Sequence, residues 1–244
     1  IKHGDAKRML AGSTSDSGPY IWGGFDAMKV STFKYNARPE AGSRPMSASA
    51  SGIVPGSGAG ALLLESLDSA LERNAVIYAE VLGGNINSGG QRNGGSMTAP
   101  NSAAVQRCIK DALRQAGVQA EDIDLINGHL TATGKDAEEV RNWCAALQRQ
   151  GAGFPYLNAL KSMVGHCLSA SGSIELVATA LQLKEGFIFP NMNCEDLHPE
   201  ISELVDPVRI TQQLLYKDIN LAAKASFGFG DVNGCIILKK YSQP

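Results

Sequence analysis

The sequence predicts an α/β layer sandwich on a mixed sheet, and three observations carry that prediction. Downstream of residue 122, short apolar runs alternate with helix-length periodic segments: strand 123–126, helix 137–147, strand 156–160, helix 171–183. That alternation is the order of βαβ units, whose strands pair in parallel by default. Three further apolar runs, 187–190, 221–225 and 235–238, are separated by loops instead of helices, which makes the sheet mixed. Finally, Asn101 is placed to cap a helix whose apolar residues Val105, Ile109, Leu113 and Ala116 share one face, with Gly117 just past its end.

Taken in order, residues 1–50 set a short apolar run, Met9-Leu10-Ala11, among Gly, Ser and Pro-rich connections, and read as the interior of a domain. A glycine-rich turn over 52–60 leads into a buried strand at 61–65 and a helix through Leu71 that ends near Arg73 and Asn74. The glycines 56, 58 and 60 precede a strand, whereas a phosphate-binding loop follows one, so tight packing explains them better. Residues 77–82 form the next strand, and a Gly, Asn and Ser-rich loop over 83–100 reaches the capped helix. Near the C-terminus, Ser226-Phe227-Gly228-Phe229-Gly230-Asp231-Val232-Asn233-Gly234 joins two strands, its glycines allowing sharp turns with aromatic rings aimed at a cavity.

At 244 residues, 43% hydrophobic and 19% charged, the chain has the composition of a soluble globular protein of one large or two smaller domains. Its net charge of -2 gives no basic footprint for nucleic acid. No apolar run is long enough to span a membrane, and residues 1–5 lack a signal-peptide core, so a cytoplasmic location is expected. The five cysteines (Cys108, Cys144, Cys167, Cys194, Cys235) have no C-x-x-C spacing, and reduced thiols are expected rather than a disulfide framework or a zinc site.

The richest stretch is residues 158–172, where an apolar strand breaks on Lys161, Gly165 and His166 before a small-residue helix start. A second histidine, His129, follows strand 123–126 in the same way and precedes a helix carrying Asp136 and Glu139. Open α/β sheets place ligands at the carboxyl ends of strands, so the two histidines are expected to share a proton-handling site with Lys161. A metal site on His129, His166, Asp136 and Glu139 is the alternative. Lys161 argues against it, because an ammonium there repels a cation and suits a carboxylate or enolate. Cys167 is a weak candidate nucleophile, since most buried cysteines are inert, and no G-x-S-x-G elbow occurs.

Together the motifs at 127–133 with Asp136 and Glu139, at 161–166 and at 226–233, with Ser43-Arg44-Pro45 and Gly58-Ala59-Gly60, resemble the β-ketoacyl-acyl carrier protein synthases of the thiolase-like superfamily. The likeness is to the elongating condensing enzymes and spans nearly the whole chain. It implies a thiolase-like layered αβαβα sandwich with mixed five-stranded sheets, residues 1–75 ending the first half-fold and residues 76–244 forming a complete second one. The implied activity is decarboxylative Claisen condensation of an acyl thioester with malonyl-acyl carrier protein. No cofactor or metal is implied, the substrate riding on the carrier's phosphopantetheine arm.

By the same resemblance His129 and His166 would flank the malonyl thioester, Lys161 and Glu139 would form a charged network tuning them, and Thr131 and Thr133 would hold the phosphopantetheine. Phe227, Phe229 and Gly230 would line the acyl site, with Phe229 as the gate and its N–H in the oxyanion hole. A homodimer, or a heterodimer with a ketosynthase, is implied. The family's nucleophilic cysteine motif is absent and none of the five cysteines replaces it, so the chain is expected to be a C-terminal portion with open sheet edges and apolar faces. A non-catalytic partner resembling a chain-length factor is the main alternative; a thiolase or chalcone-synthase-like enzyme using coenzyme A is a remoter one. Departures from the family pattern include Leu130, expected to add bulk beside His129, and Asp231, expected to add charge near the gate. Gly134, and Ser47, Ser51 and Ser57 where charges are common, depart as well.

Overall fold

The computed structural model describes residues 1–16 and 18–242. The first part of the chain forms β1 (Arg8–Ser15), α1 (Pro19–Ala27), β2 (Gly58–Glu65) and α2 (Leu67–Glu72). Then follow β3 (Ala79–Ser88), α3 (Ser102–Ala116), β4 (Leu125–Asn127), α4 (Asp136–Leu147), β5 (Tyr156–Asn158), α5 (Lys161–Val164) and α6 (Ser171–Glu185). The last part holds β6 (Phe187–Ile188), α7 (Pro199–Leu204), β7 (Leu215–Tyr216), β8 (Leu221–Gly228) and β9 (Val232–Lys240).

The central sheet has five strands in the order β3-β9-β8-β4-β5. β4 runs parallel to β5 and β8, while β9 runs antiparallel to β8 and β3, so the predicted mixed sheet is present. Side chains along β8 alternate between its faces. Leu221, Ala223, Ala225 and Phe227 pack with Val105 and Ile109 of α3 and Val140 and Trp143 of α4. Ala222 instead meets Leu183 of α6 and Leu125 of β4. The same period places Lys224 on the α6 side.

α6 touches this sheet on one side and β1 and β2 on the other. The layers are therefore α3 with α4, the five-stranded sheet, α6, and a two-stranded sheet in which β1 and β2 pair antiparallel from Arg8↔Glu65 to Ser15↔Gly58. The glycine run serves close packing, as expected: a Cβ on Gly60 would meet the Ile174 nitrogen at 2.6 Å.

Several expectations need correction. The strand expected at 61–65 begins at Gly58 and is not buried, its residues alternating between half-buried and exposed. The partial first half-fold is as expected: among the described residues the five-stranded sheet is single, β1 and β2 pair with each other alone, and Met9, Leu10, Leu63, Leu67 and Leu71 are left exposed there. The loop expected from residue 83 starts after Ser88, because Gly83 and Gly84 belong to β3. Gly83 is needed in that strand: a Cβ would lie 2.8 Å from the Ala116 nitrogen at the end of α3. α1 has no buried residue, so no apolar stripe marked it.

The strongest helix reading holds in detail. The Asn101 side chain accepts from the backbone N–H groups of Ala103 and Ala104, and Gly117 closes α3 at a φ of 68°. Asn101→Ala should lower stability by about 1 kcal/mol, read from the urea midpoint; an unchanged midpoint would mean that water replaces the cap.

Candidate active site

Two carboxylates at the start of α4 shape the turn that carries His129. Glu139 accepts the N–H groups of His129 at 2.7 Å and Leu130 at 2.8 Å. Asp136 accepts those of Thr131 at 2.9 Å, Ala132 at 3.1 Å and Met46 at 2.8 Å. Both acids are therefore spent on backbone hydrogen bonds. Gly128 is required in the turn, since a Cβ would press on the Leu130 side chain at 2.8 Å and on Glu139 at 3.0 Å.

The second histidine is set by the turn that closes α5. Gly165 takes a φ of 70° there, and His166 is tied by its N–H to the Val54 carbonyl at 2.8 Å. Its Nδ1 accepts the Leu168 N–H at 3.0 Å and lies 3.1 Å from Ser171 Oγ. With Nδ1 occupied as an acceptor, the ring proton belongs on Nε2.

The structure brings the two rings together edge to face, centroids 5.4 Å apart, with Phe227 packed edge-on against His129 at 6.3 Å. Lys161 Nζ lies 3.5 Å from His129 Nδ1 and so favours the Nε2–H tautomer there as well. Burial, with Lys161 next in weight, drives His129 far below its ordinary range and His166 down to about 3. The result is a pair of neutral imidazoles, each with an Nε2–H to donate. Such a pair polarises a carbonyl oxygen and stabilises the oxyanion that forms from it.

Beneath the pair lies a cluster that sequence reading missed. Lys161 pairs with Glu175 Oε1 at 2.5 Å and Lys224 with Glu175 Oε2 at 2.8 Å, every side chain being 3% exposed or less. Burial opposes the charge on Glu175, but Lys161 and Lys224 outweigh it and hold its carboxyl below the usual range. The direct ion-pair partner of Lys161 is Glu175, while Glu139 holds the His129 backbone and feels the Lys161 charge across space. Burial pushes Glu139 up to about 7.

Other expected residues are distributed as follows. Thr131 and Thr133 are half-buried, their hydroxyls 3.1 Å apart. Phe229 is exposed and lies against Phe25 at 6.1 Å, while Gly230 takes a φ of 82° and donates its N–H to the Met97 carbonyl. Leu130 does not crowd His129 with free bulk but is 1% exposed within the core. Asp231 is not a charge displayed at the gate: it is 0% exposed and accepts the N–H groups of Asn101 at 2.8 Å and Gln91 at 3.0 Å, fastening the 89–101 loop.

All five cysteines are unpaired and buried. Burial pushes the thiols of Cys108 and Cys144 up to about 11 and that of Cys194 up to about 12, and raises Cys167 and Cys235 too. None is a ready thiolate.

The neutral histidines also set an acid limb of stability. A depressed folded pKa means stability that is present above about pH 6.5 and lost as pH falls, since the unfolded chain takes up a proton that the folded one refuses. For His166 the loss continues down to about pH 3. Its slope reaches about 1.4 kcal/mol per pH unit for each histidine. His166→Gln should flatten the decline between about pH 7 and 5 in urea unfolding; the parent slope persisting in that variant would refute the assignment.

Comparison with known proteins agrees across both halves of the chain. The family model of the β-ketoacyl synthase N-terminal domain matches residues 1–70, and that of the β-ketoacyl synthase C-terminal domain matches residues 78–195. The 3-oxoacyl-(acyl-carrier-protein) synthase 2 of Rhizobium meliloti is 36% identical over 99% of this chain and 56% of its own length. The chloroplastic 3-oxoacyl-(acyl-carrier-protein) synthase II of Arabidopsis thaliana is 39% identical over 99% of this chain and 43% of its own. Among solved structures, a type II polyketide ketosynthase in complex with its acyl carrier protein superimposes with a TM-score of 0.90 at 31% identity, over 99% of this chain and 58% of that one. The ishigamide ketosynthase/chain length factor gives 0.87 at 29% identity, covering 99% and 56%. The chain spans about half the length of the relatives it matches.

Proposed function

This chain belongs to the β-ketoacyl synthase family and has its thiolase-like fold, and from that premise we propose that His129 and His166 hold a malonyl thioester for decarboxylative condensation. The observation that carries this reading is the edge-to-face packing of the two imidazoles, 5.4 Å apart, whose Nδ1 atoms face the Leu168 N–H and the Lys161 ammonium and so leave Nε2–H to donate. When malonyl-acyl carrier protein binds, both N–H groups donate to the thioester carbonyl. The C–C bond to the carboxylate breaks, carbon dioxide leaves, and the electron pair passes into an enolate whose oxygen the two donors stabilise. The enolate carbon then attacks the carbonyl of an acyl thioester and expels the thiolate that carried it, giving 3-oxoacyl-carrier protein.

The acyl group is proposed to ride on a cysteine thiolate, a form that burial disfavours for each of the five thiols of this chain. Thr131 and Thr133 are proposed to hydrogen-bond the phosphopantetheine arm, with Phe227 and Gly230 lining the acyl site. Phe229 would gate that site and supply an oxyanion-hole N–H. The acyl carrier protein is the proposed partner, in a homodimer or a heterodimer with a ketosynthase. The similar structures of a ketosynthase with its carrier protein and of a ketosynthase/chain length factor support both.

The test is to express the complete reading frame and supply malonyl-acyl carrier protein with and without an acyl thioester. Carbon dioxide release with a 3-oxoacyl product is expected. Decarboxylation without condensation would instead indicate a partner subunit, and neither reaction would overturn the reading.

A further inference from the structure

Lys224 stands in the middle of the apolar run of β8, and its side chain is 3% exposed. The strand alternation turns it to the α6 face, where its ammonium lies 2.8 Å from Glu175 Oε2 while Lys161 occupies Oε1 at 2.5 Å. It also donates to the Ala225 carbonyl and to Ser226 Oγ, the latter at 3.0 Å. One carboxylate is shared by two ammoniums, and Glu139 acts on Lys224 only across space. Burying a second ammonium there is costly if the cluster only joins α6 to the sheet, because Lys161 alone already pairs with Glu175.

The cost is understandable in a site where negative charge develops. We propose that Lys224 is a positioning residue for the histidine pair: it clamps Glu175 from the sheet side, so that Lys161 stays aimed at His129 Nδ1, and its charge favours an oxyanion at the two Nε2–H groups. This role rests on the condensing reading of the site. The charged groups around the pair are Lys161 at the start of α5, Glu175 from α6, Lys224 from β8, and Glu139 and Asp136 from α4. Lys224 contributes to the lowering of both histidines, behind burial and Lys161 and, for His129, behind His166 as well, whereas Glu175 acts the other way on His166.

The experiment compares the parent with Lys224→Met, which removes the charge at similar length and leaves Glu175 paired to Lys161, and with Lys224→Arg. Histidine ring nitrogens are followed by nitrogen-15 NMR as a function of pH, and malonyl-carrier-protein decarboxylation is measured on the protein from its complete reading frame. In Lys224→Met the His166 titration is expected to move up by about one pH unit. The decarboxylation kcat should fall about tenfold or more with little change in KM, and Lys224→Arg should restore most of it. Histidine titrations that coincide with the parent's would overturn the proposal, as would an unchanged kcat. The NMR result can be read even if the parent decarboxylates nothing, in which case the condensing reading fails by itself. Should Lys224→Met not fold, Lys224→Gln takes its place, and failure of both would make Lys224 a structural residue and end the proposal.

Discussion

Exchanging Glu175 for glutamine should lower the unfolding free energy by roughly 3–5 kcal/mol, a large part of the total stability of a domain this size. Glu175 is 1% exposed and is the shared counter-ion of Lys161 and Lys224, which are 2% and 3% exposed. Glutamine fills the same space but leaves two ammoniums buried without an anion. Because those two charges then repel each other, the double variant Glu175→Gln with Lys224→Met should recover part of the loss, a coupling of about 1–3 kcal/mol.

The deficit should also depend on pH. Burial already lowers the Lys224 pKa, and removing Glu175 takes away the main group that raises it. A lysine depressed in the folded state contributes stability present above its unfolded pKa, about 10.4, and lost as pH falls. The variant should therefore be relatively weakest at neutral pH and regain ground towards alkaline pH. Urea unfolding of the three proteins across that range measures all of this. A loss below about 1 kcal/mol would show that the cluster is solvated, and would undo the electrostatic account of the site.

The second large effect falls on chemistry. His129→Ala and His166→Ala should each reduce carbon dioxide release from malonyl-acyl carrier protein by about 10²–10³-fold, the range for loss of one preorganised donor to an oxyanion. The double variant should be little worse than either single one, because the two donors act on one oxygen. Glutamine, which also presents an N–H, should retain more activity than alanine at each position. That ordering separates a donor from a base: if His129 or His166 accepted a proton, glutamine would be as inactive as alanine.

Elements with a strong period were legible in the sequence. α3 announced itself through its cap, its apolar stripe and Gly117, whereas α1 buries nothing and β1 shows only the short run Met9-Leu10-Ala11 before small and polar residues, too little to mark a strand. The glycines of β3 look like loop residues until α3 is seen packed against them. In the site, His129, His166 and Lys161 were legible because each interrupts an apolar strand end. Glu175 and Lys224 were not, since each is a lone charge inside a nonpolar helix or strand and the match between them exists only in space. A signal was nevertheless present: a lysine inside Leu-Ala-Ala-Lys-Ala demands a buried partner, and Glu175 is an acid on an otherwise nonpolar stretch of α6. Asp231 misled for the opposite reason, its charge being consumed by loop N–H groups that the sequence does not place.

The most direct test of the histidine pair is a crystal structure of the protein from its complete reading frame with an unreactive malonyl-pantetheine thioester analogue. The thioester carbonyl oxygen should lie about 3 Å from both His129 Nε2 and His166 Nε2. A carbonyl held by one histidine alone, or placed on Lys161 instead, would contradict the central claim.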